Sequence, residues 1–173
     1  PQVAEDITIS NNVFTSSQKI SAFVRILTAD SGNKATGHVT IVGNTMSAPL
    51  NDNKAAIAID NNSTSQVELF DVRNNIITGI GSETVFKAKF VPSDWTSNFN
   101  VIDPNGSFRW GSNGASNLGA WRTLSGEAAS SLACVPNFVN ANGGDFHLDG
   151  TSGCALDNGV NVASISAIDQ APK

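Results

Sequence analysis

Four side chains in the first half of the chain have types and spacing that could do chemistry together: Asp6, His38, Asp71 and Arg73. They fall into one frame when residues 6–14, 38–46 and 69–77 are superimposed without a gap. Matching positions then hold Asp6, His38 and Leu69; Thr8, Thr40 and Asp71; and Ser10, Val42 and Arg73. If these stretches are strands, alternate residues share a face, and all four groups lie on one exterior. β-Elimination from an acidic sugar needs a cation or metal to neutralise the carboxylate and a base for the neighbouring C–H proton. Arg73 suits the first role and His38 the second, with Asp6 placed to orient the imidazole. The plainer alternative is a solvated sheet exterior with Asp71 and Arg73 as a weak surface ion pair.

The elements that would carry these groups repeat. Asn12, Asn44 and Asn75 are shared by the three copies and recur after 32 and then 31 residues. Ahead of each asparagine stand two apolar residues one apart: Ile7 and Ile9, Val39 and Ile41, Phe70 and Val72. That spacing turns both inward on a strand. Further extended candidates, Ile20 to Leu27, Ala55 to Ile59 and Val85 to Val91, fill the intervals. One repeat thus supplies several short strands and returns the chain to its start, displaced by about 4.8 Å. The asparagine marks a corner, where it tolerates the left-handed conformation and its amide can bond its neighbour one coil away. A helix is excluded by the β-branched composition and the period near two. An antiparallel sandwich also has short strands and frequent turns, but does not require a constant repeat. The expectation is a parallel β-helix over residues 1–91.

From Pro92 the repeat is expected to give way to loops and a tail over residues 92–159. It includes one short helix around Leu118 to Thr123, with Asn117 as N-cap. Trp95, Trp110 and Trp121 all fall here. They read as plugs for irregular core gaps, with stacking on sugars as the alternative. In the tail, Phe138 and Val139, Phe146 and Leu148, and Ala155 and Leu156 alternate with Asn142-Gly143-Gly144, Asp149-Gly150 and Asn158-Gly159. Extended pieces joined by tight corners would wrap over a stacked core. Cys134 and Cys154 both lie in this tail. They form either a disulfide, restricting the unfolded chain by roughly 3 kcal/mol, or two buried thiols.

The tail resembles the closing segment of right-handed parallel β-helix proteins of the pectate-lyase-like superfamily. The resemblance rests on Pro136, Phe138, Val139, Gly144, Asp145, Phe146, His147, Leu148, Ser152, Ala155, Leu156, Asp157 and Gly159. It extends upstream through Asp94-Trp95, Phe108-Arg109-Trp110 and Trp121. It covers the last half of the chain closely and the first half only through its repeat. It implies an all-β fold, a right-handed single-stranded solenoid with an irregular C-terminal capping tail, secreted to an extracellular or periplasmic space. Members of that superfamily cleave, epimerise or bind polysaccharides, so the resemblance implies a polysaccharide partner and, if there is an enzyme, a lyase or glycoside hydrolase. Calcium enters only through the same analogy; no cofactor is expected from the residues, and no metal-ligand pattern is present. His147 is expected to be structural, with its ring packed or bonded to a turn.

Residues 160–173 resemble the run-out of that tail, but stop before its usual tyrosine-containing end, and the chain has no tyrosine. Pro1 stands almost inside a rung, so the first coil is expected to be uncapped. Its partner would be the remainder of a longer polypeptide or another copy stacked end to end. The second functional reading is therefore a non-catalytic structural or adhesive module.

Composition narrows the remaining classes. The 173 residues suffice for one domain, and 15 glycines with 7% aromatic residues suit a thin layered core. A net charge of −5 without a basic cluster argues against nucleic acid as a partner. No apolar run is long enough for a membrane-spanning helix. Lys87 and Lys89, alternating with Phe86, Ala88 and Phe90, share an exterior face where they could attract an anionic glycan or keep an edge soluble.

Overall fold

The computed structural model describes residues 6–27, 36–60, 67–92, 94–151 and 153–160. Four successive coils each lay down three strands. The first holds β1 (Ile7–Ser10), β2 (Val13–Thr15) and β3 (Val24–Leu27); the second β4 (Thr36–Val42), β5 (Thr45–Ser47) and β6 (Ala55–Asp60). The third holds β7 (Val67–Arg73), β8 (Ile76–Thr78) and β9 (Thr84–Ala88); the fourth β10 (Asp94–Asn98), β11 (Val101–Ile102) and β12 (Ser107–Trp110). There follow β13 (Asn113–Ala115), α1 (Leu118–Ser125), β14 (Leu132–Ala133), β15 (Phe138–Asn140) and β16 (Asp145–Leu148). Strands stack by coil in the orders β1-β4-β7-β10, β2-β5-β8-β11-β14 and β3-β6-β9-β12-β13. Every pairing among β1 to β12, and that of β11 with β14, is parallel. The fold is a parallel β-solenoid, and the antiparallel sandwich is excluded.

The period of two becomes columns of side chains along the axis. In the first sheet Ile7, Val39, Phe70 and Trp95 are in register, as are Ile9, Ile41, Val72 and Ser97. In the second, Phe14, Met46, Ile77 and Ile102 align; in the third, Val24, Ile57, Phe86 and Phe108. Val39, Ile41, Met46, Phe70, Val72 and Ile77 are fully buried. Each such side chain contributes roughly 1.5–3 kcal/mol by leaving water. Their counterparts in the first coil, Ile7, Ile9 and Phe14, are only partly buried.

The asparagine corner is a hydrogen-bonded ladder between the first two sheets. Asn44 Oδ1 accepts from both the backbone N–H and Nδ2 of Asn12, each at 3.0 Å. Asn75 Oδ1 accepts the same pair from Asn44, at 3.1 and 3.0 Å. The ladder continues to Asn100, whose Oδ1 accepts from Asn75, and ends at Ser131 Oγ, which accepts from Asn100 N–H. Each internal Nδ2 also donates to a carbonyl of the preceding coil: Ile9, Ile41 and Val72 in turn. Asn44, Asn75 and Asn100 are at most 1% exposed, so every unmade bond would leave a buried polar group costing ~1–3 kcal/mol.

One expectation needs correcting here. The left-handed backbone falls on the residue before each ladder asparagine: Asn11 (φ 56), Gly43 (φ 66), Asn74 (φ 57) and Phe99 (φ 54). That residue makes the corner, and the asparagine after it makes the bonds. At Gly43 a side chain would also meet its neighbour, since a Cβ there would lie 2.7 Å from Asn11 Oδ1.

A second correction concerns Pro92, where the coils were expected to stop. They continue for one more turn, β10 pairing with β7 from Asp94↔Leu69 to Asn98↔Arg73, and β12 with β9. The signal was hidden because Ser97 replaces the second inward apolar residue, Phe99 occupies the left-handed position, and the Asn75–Asn100 interval shrinks to 25. The candidate strand from Ile20 is also shorter, since only Val24–Leu27 is extended and Ile20 makes an isolated bridge to Leu50.

The far end is closed by aromatic rings. Trp95 stacks on Phe70 at 4.7 Å between centroids, and Trp121 stacks on Phe108 at 4.9 Å. Trp110 meets both tryptophans edge-on. Trp95 and Trp121 are buried, so they fill the core and are out of reach of a sugar. Trp121 is brought there by α1, where Asn117 Oδ1 accepts from Ala120 N–H at 2.9 Å and Gly126, in the left-handed conformation (φ 74), ends the helix.

The tail then turns back. Cys134 and Cys154 form a disulfide, which fits an oxidising compartment. Val160 exchanges two hydrogen bonds with the Asn74 side chain, pinning the tail to the ladder corner. Pro1 and residues 161–173, on which the uncapped start and the run-out were read, lie outside the described residues, as does Ser152.

Candidate functional site

The register aligns Thr8, Thr40, Asp71 and Thr96 in one column and Ser10, Val42, Arg73 and Asn98 in the next, but Val42 is buried, so the second column is not open to solvent on every coil. His38 Nδ1 lies 3.3 Å from Asp6 Oδ1, both side chains being well exposed. Arg73 is held differently. Its Nε donates to Asp71 Oδ1 at 2.7 Å and its Nη2 to Asp71 Oδ2 at 2.5 Å, a bidentate pair. The four residues thus form two separate pairs. Asp71 takes one edge of the guanidinium and offsets its charge, so a substrate carboxylate would meet Arg73 through its remaining N–H donors.

The third sheet presents the opposite electrostatics. Between Ile57 and Ile59, which point inward, Ala58 points outward, and it is in register with Arg25 on β3 and Lys87 on β9. Lys87 is in turn in register with Arg109 on β12. Over this face runs an open cleft of about 490 Å³, lined among others by Arg25, Lys54, Lys87 and Lys89, with Asp60 as its acid. Of the ten basic residues in a chain of net charge −5, four line this cleft, so its face is cationic against an acidic whole. Asp60 Oδ2 accepts from Arg25 Nε at 2.7 Å.

Lys87 and Lys89 were singled out in the sequence, and the structure puts both on the cleft. Arg25 and Lys54 were missed. The signal was available in the third strand of each repeat: aligning 24–27 with 57–60 and 86–88 puts Arg25 over Ala58 over Lys87.

A second cleft, about 950 Å³, lies between the corner of the first two coils, at Asn11, Asn12 and Gly43, and the β15–β16 hairpin. There Asp145 Oδ1 contacts His147 Nδ1 at 2.6 Å. The His147 backbone N–H and then its ring hydrogen-bond Asp145 and hold its carboxyl below the usual value. His147 is thus bonded within its own hairpin, in keeping with a structural part.

Among the described residues no three His, Cys, Asp or Glu side chains gather as metal ligands. No helix among the described residues is long and apolar enough to cross a membrane. What fold and site define together is a parallel β-solenoid with a buried asparagine ladder and a cationic exterior cleft. No family model, no curated protein and no solved structure matches the chain.

Proposed function

We propose that this chain is a secreted, pectate-lyase-like β-helix protein that binds an anionic polysaccharide along the exterior of its third sheet. The observation that carries this is the cleft in which Arg25, Lys54, Lys87 and Lys89 converge on an otherwise acidic molecule. Parallel strands give such a site a regular rise, so a polymer lying along the axis meets a cation on successive coils. Side chains from several strands make it a linear site, better matched to a chain than to a small ion. The disulfide and the sequence resemblance support the secreted, polysaccharide-directed assignment.

Cleavage by β-elimination is the catalytic extension of this reading, with His38 as base and Arg73 neutralising the sugar carboxylate on the first sheet. It requires the sugar carboxylate to reach the Arg73 donors that Asp71 leaves free. The rival reading, copies stacked end to end, is less well supported, because β13 turns back antiparallel on β12 and α1 lays Trp121 over the core.

The test is titration of the protein with uronate polymers at two salt concentrations. Binding that weakens with salt and is lost in Arg25→Ala with Lys87→Ala supports the proposal; salt-independent binding, or none, refutes it. The same mixtures report cleavage through new absorbance from an unsaturated product, which Arg73→Ala should abolish if elimination occurs.

A further inference from the structure

Charge along the cleft is unevenly spaced. Neighbouring strands of a sheet lie about 4.8 Å apart, and Arg25 and Lys87 occupy one outward column with Ala58 between them. The two cations are therefore separated by two strand spacings, about 10 Å along the axis. The strand between them supplies a methyl group at Ala58 and, two residues on, the Asp60 carboxylate.

Asp60 is the one acidic side chain among the described residues lining the cleft. Its side chain is 23% exposed, and it pairs with Arg25, itself 56% exposed. A polymer with a carboxylate on every sugar would press one of them toward Ala58, where this column offers no cation, Lys54 lies at the far start of the strand, and Asp60 repels it. An uncharged sugar at the same place meets only the Ala58 methyl and a carboxylate able to accept a hydroxyl hydrogen bond.

Resting on the polyanion reading above, we infer that the cleft selects a glycan in which acidic and neutral sugars alternate. The acidic groups sit at Arg25 and Lys87, and the neutral sugar lies over Ala58. Asp60 sets the selectivity by excluding charge from the middle strand and by keeping Arg25 turned along the column.

The experiment is titration calorimetry of the whole chain with three oligosaccharides of equal length: a homouronate, a copolymer of uronate alternating with a neutral N-acetylated amino sugar, and an uncharged glycan. The copolymer should bind about tenfold more tightly than the homouronate. Ala58→Lys puts a cation on the middle strand and should close that gap by strengthening homouronate binding. Asp60→Asn, which keeps an oxygen for Arg25, should narrow it in the same direction. Circular dichroism checks that both variants remain folded. Equal or tighter binding of the homouronate, or a gap unchanged in both variants, overturns the alternating-ligand inference while leaving the polyanion reading standing. Binding of neither acidic glycan, or equal affinity for the uncharged one, overturns the polyanion reading and the inference with it.

Discussion

The first and third sheets are built from the same coils, rise by the same spacing, and yet show solvent opposite electrostatic characters. On the first, Asp6 faces His38 and Asp71 grips Arg73. Its charges are spent on one another within the protein. On the third, Arg25, Lys87 and Arg109 stand in one column, and Asp60, paired with Arg25, is the acid of the cleft among the described residues. The solenoid makes columns in both places; what differs is the balance, since acids match bases on the first sheet whereas on the third Asp60 answers Arg25 and leaves an excess of cations. A row of aligned charged residues is therefore insufficient evidence of a binding face, and the pairing state decides.

Breaking the scaffold beneath both faces should have the largest effect. Asn75→Leu orphans the Asn44 backbone N–H and takes one hydrogen bond each from Asn44 Nδ2 and from the Ile41 and Arg73 carbonyls. At ~1–3 kcal/mol for the orphaned group and about 1 kcal/mol for each further bond lost, a large part of a marginal stability goes. Urea denaturation should show a collapse of the midpoint, and a loss under about 1 kcal/mol would mean the ladder is decorative.

Reversing charge on one face at a time separates the two sheets. Lys87→Glu should weaken uronate binding by tenfold or more, because it removes a cation and adds a repulsive anion. Arg73→Ala should change binding less than about twofold and, for a partly exposed pair, cost about 1 kcal/mol or less in stability. Comparable losses from the two substitutions would erase the contrast.

Reduction with alkylation of the Cys134–Cys154 bridge should lower stability by roughly 3 kcal/mol while leaving affinity at the third sheet intact, since the tail packs elsewhere. Calorimetric melting with parallel binding titrations checks both halves of that statement.

The smallest effect is local. Asp145 has a folded-state pKa below its ordinary value of 3.8, so its contribution to the hairpin is present above that value and disappears as pH falls through the lower folded one. Phe138 and Phe146, packed edge to face at 5.2 Å, should show exchange-broadened ring signals only in that acid range. Broadening already at neutral pH would contradict the assignment.

How much of this was legible beforehand follows from where the signals lie. Ile7 and Ile9, Val39 and Ile41, and Phe70 and Val72 announce the coils because β-branched and aromatic pairs one apart have a single sensible orientation. Asn12, Asn44 and Asn75 announce the ladder because a fixed interval brings like side chains together. Asn100 was invisible: its coil lacks the second apolar residue and is shorter, so only tertiary stacking identifies it. The site was half legible. Lys87 and Lys89 alternate visibly with apolar neighbours, whereas Arg25 joins them only once the third-sheet register is known. That Asp71 neutralises Arg73 is a matter of side-chain direction along one strand, which a column of types does not reveal.

The comparison of the two faces comes down to where a bound chain lies. Backbone amide shifts recorded while a uronate oligosaccharide is titrated into isotopically labelled protein address this directly. The account predicts shifts centred on Arg25, Lys54, Ala58 and Lys87, with Thr8, Thr40, Asp71 and Arg73 undisturbed. Shifts centred on the second group, with the first unmoved, would contradict it.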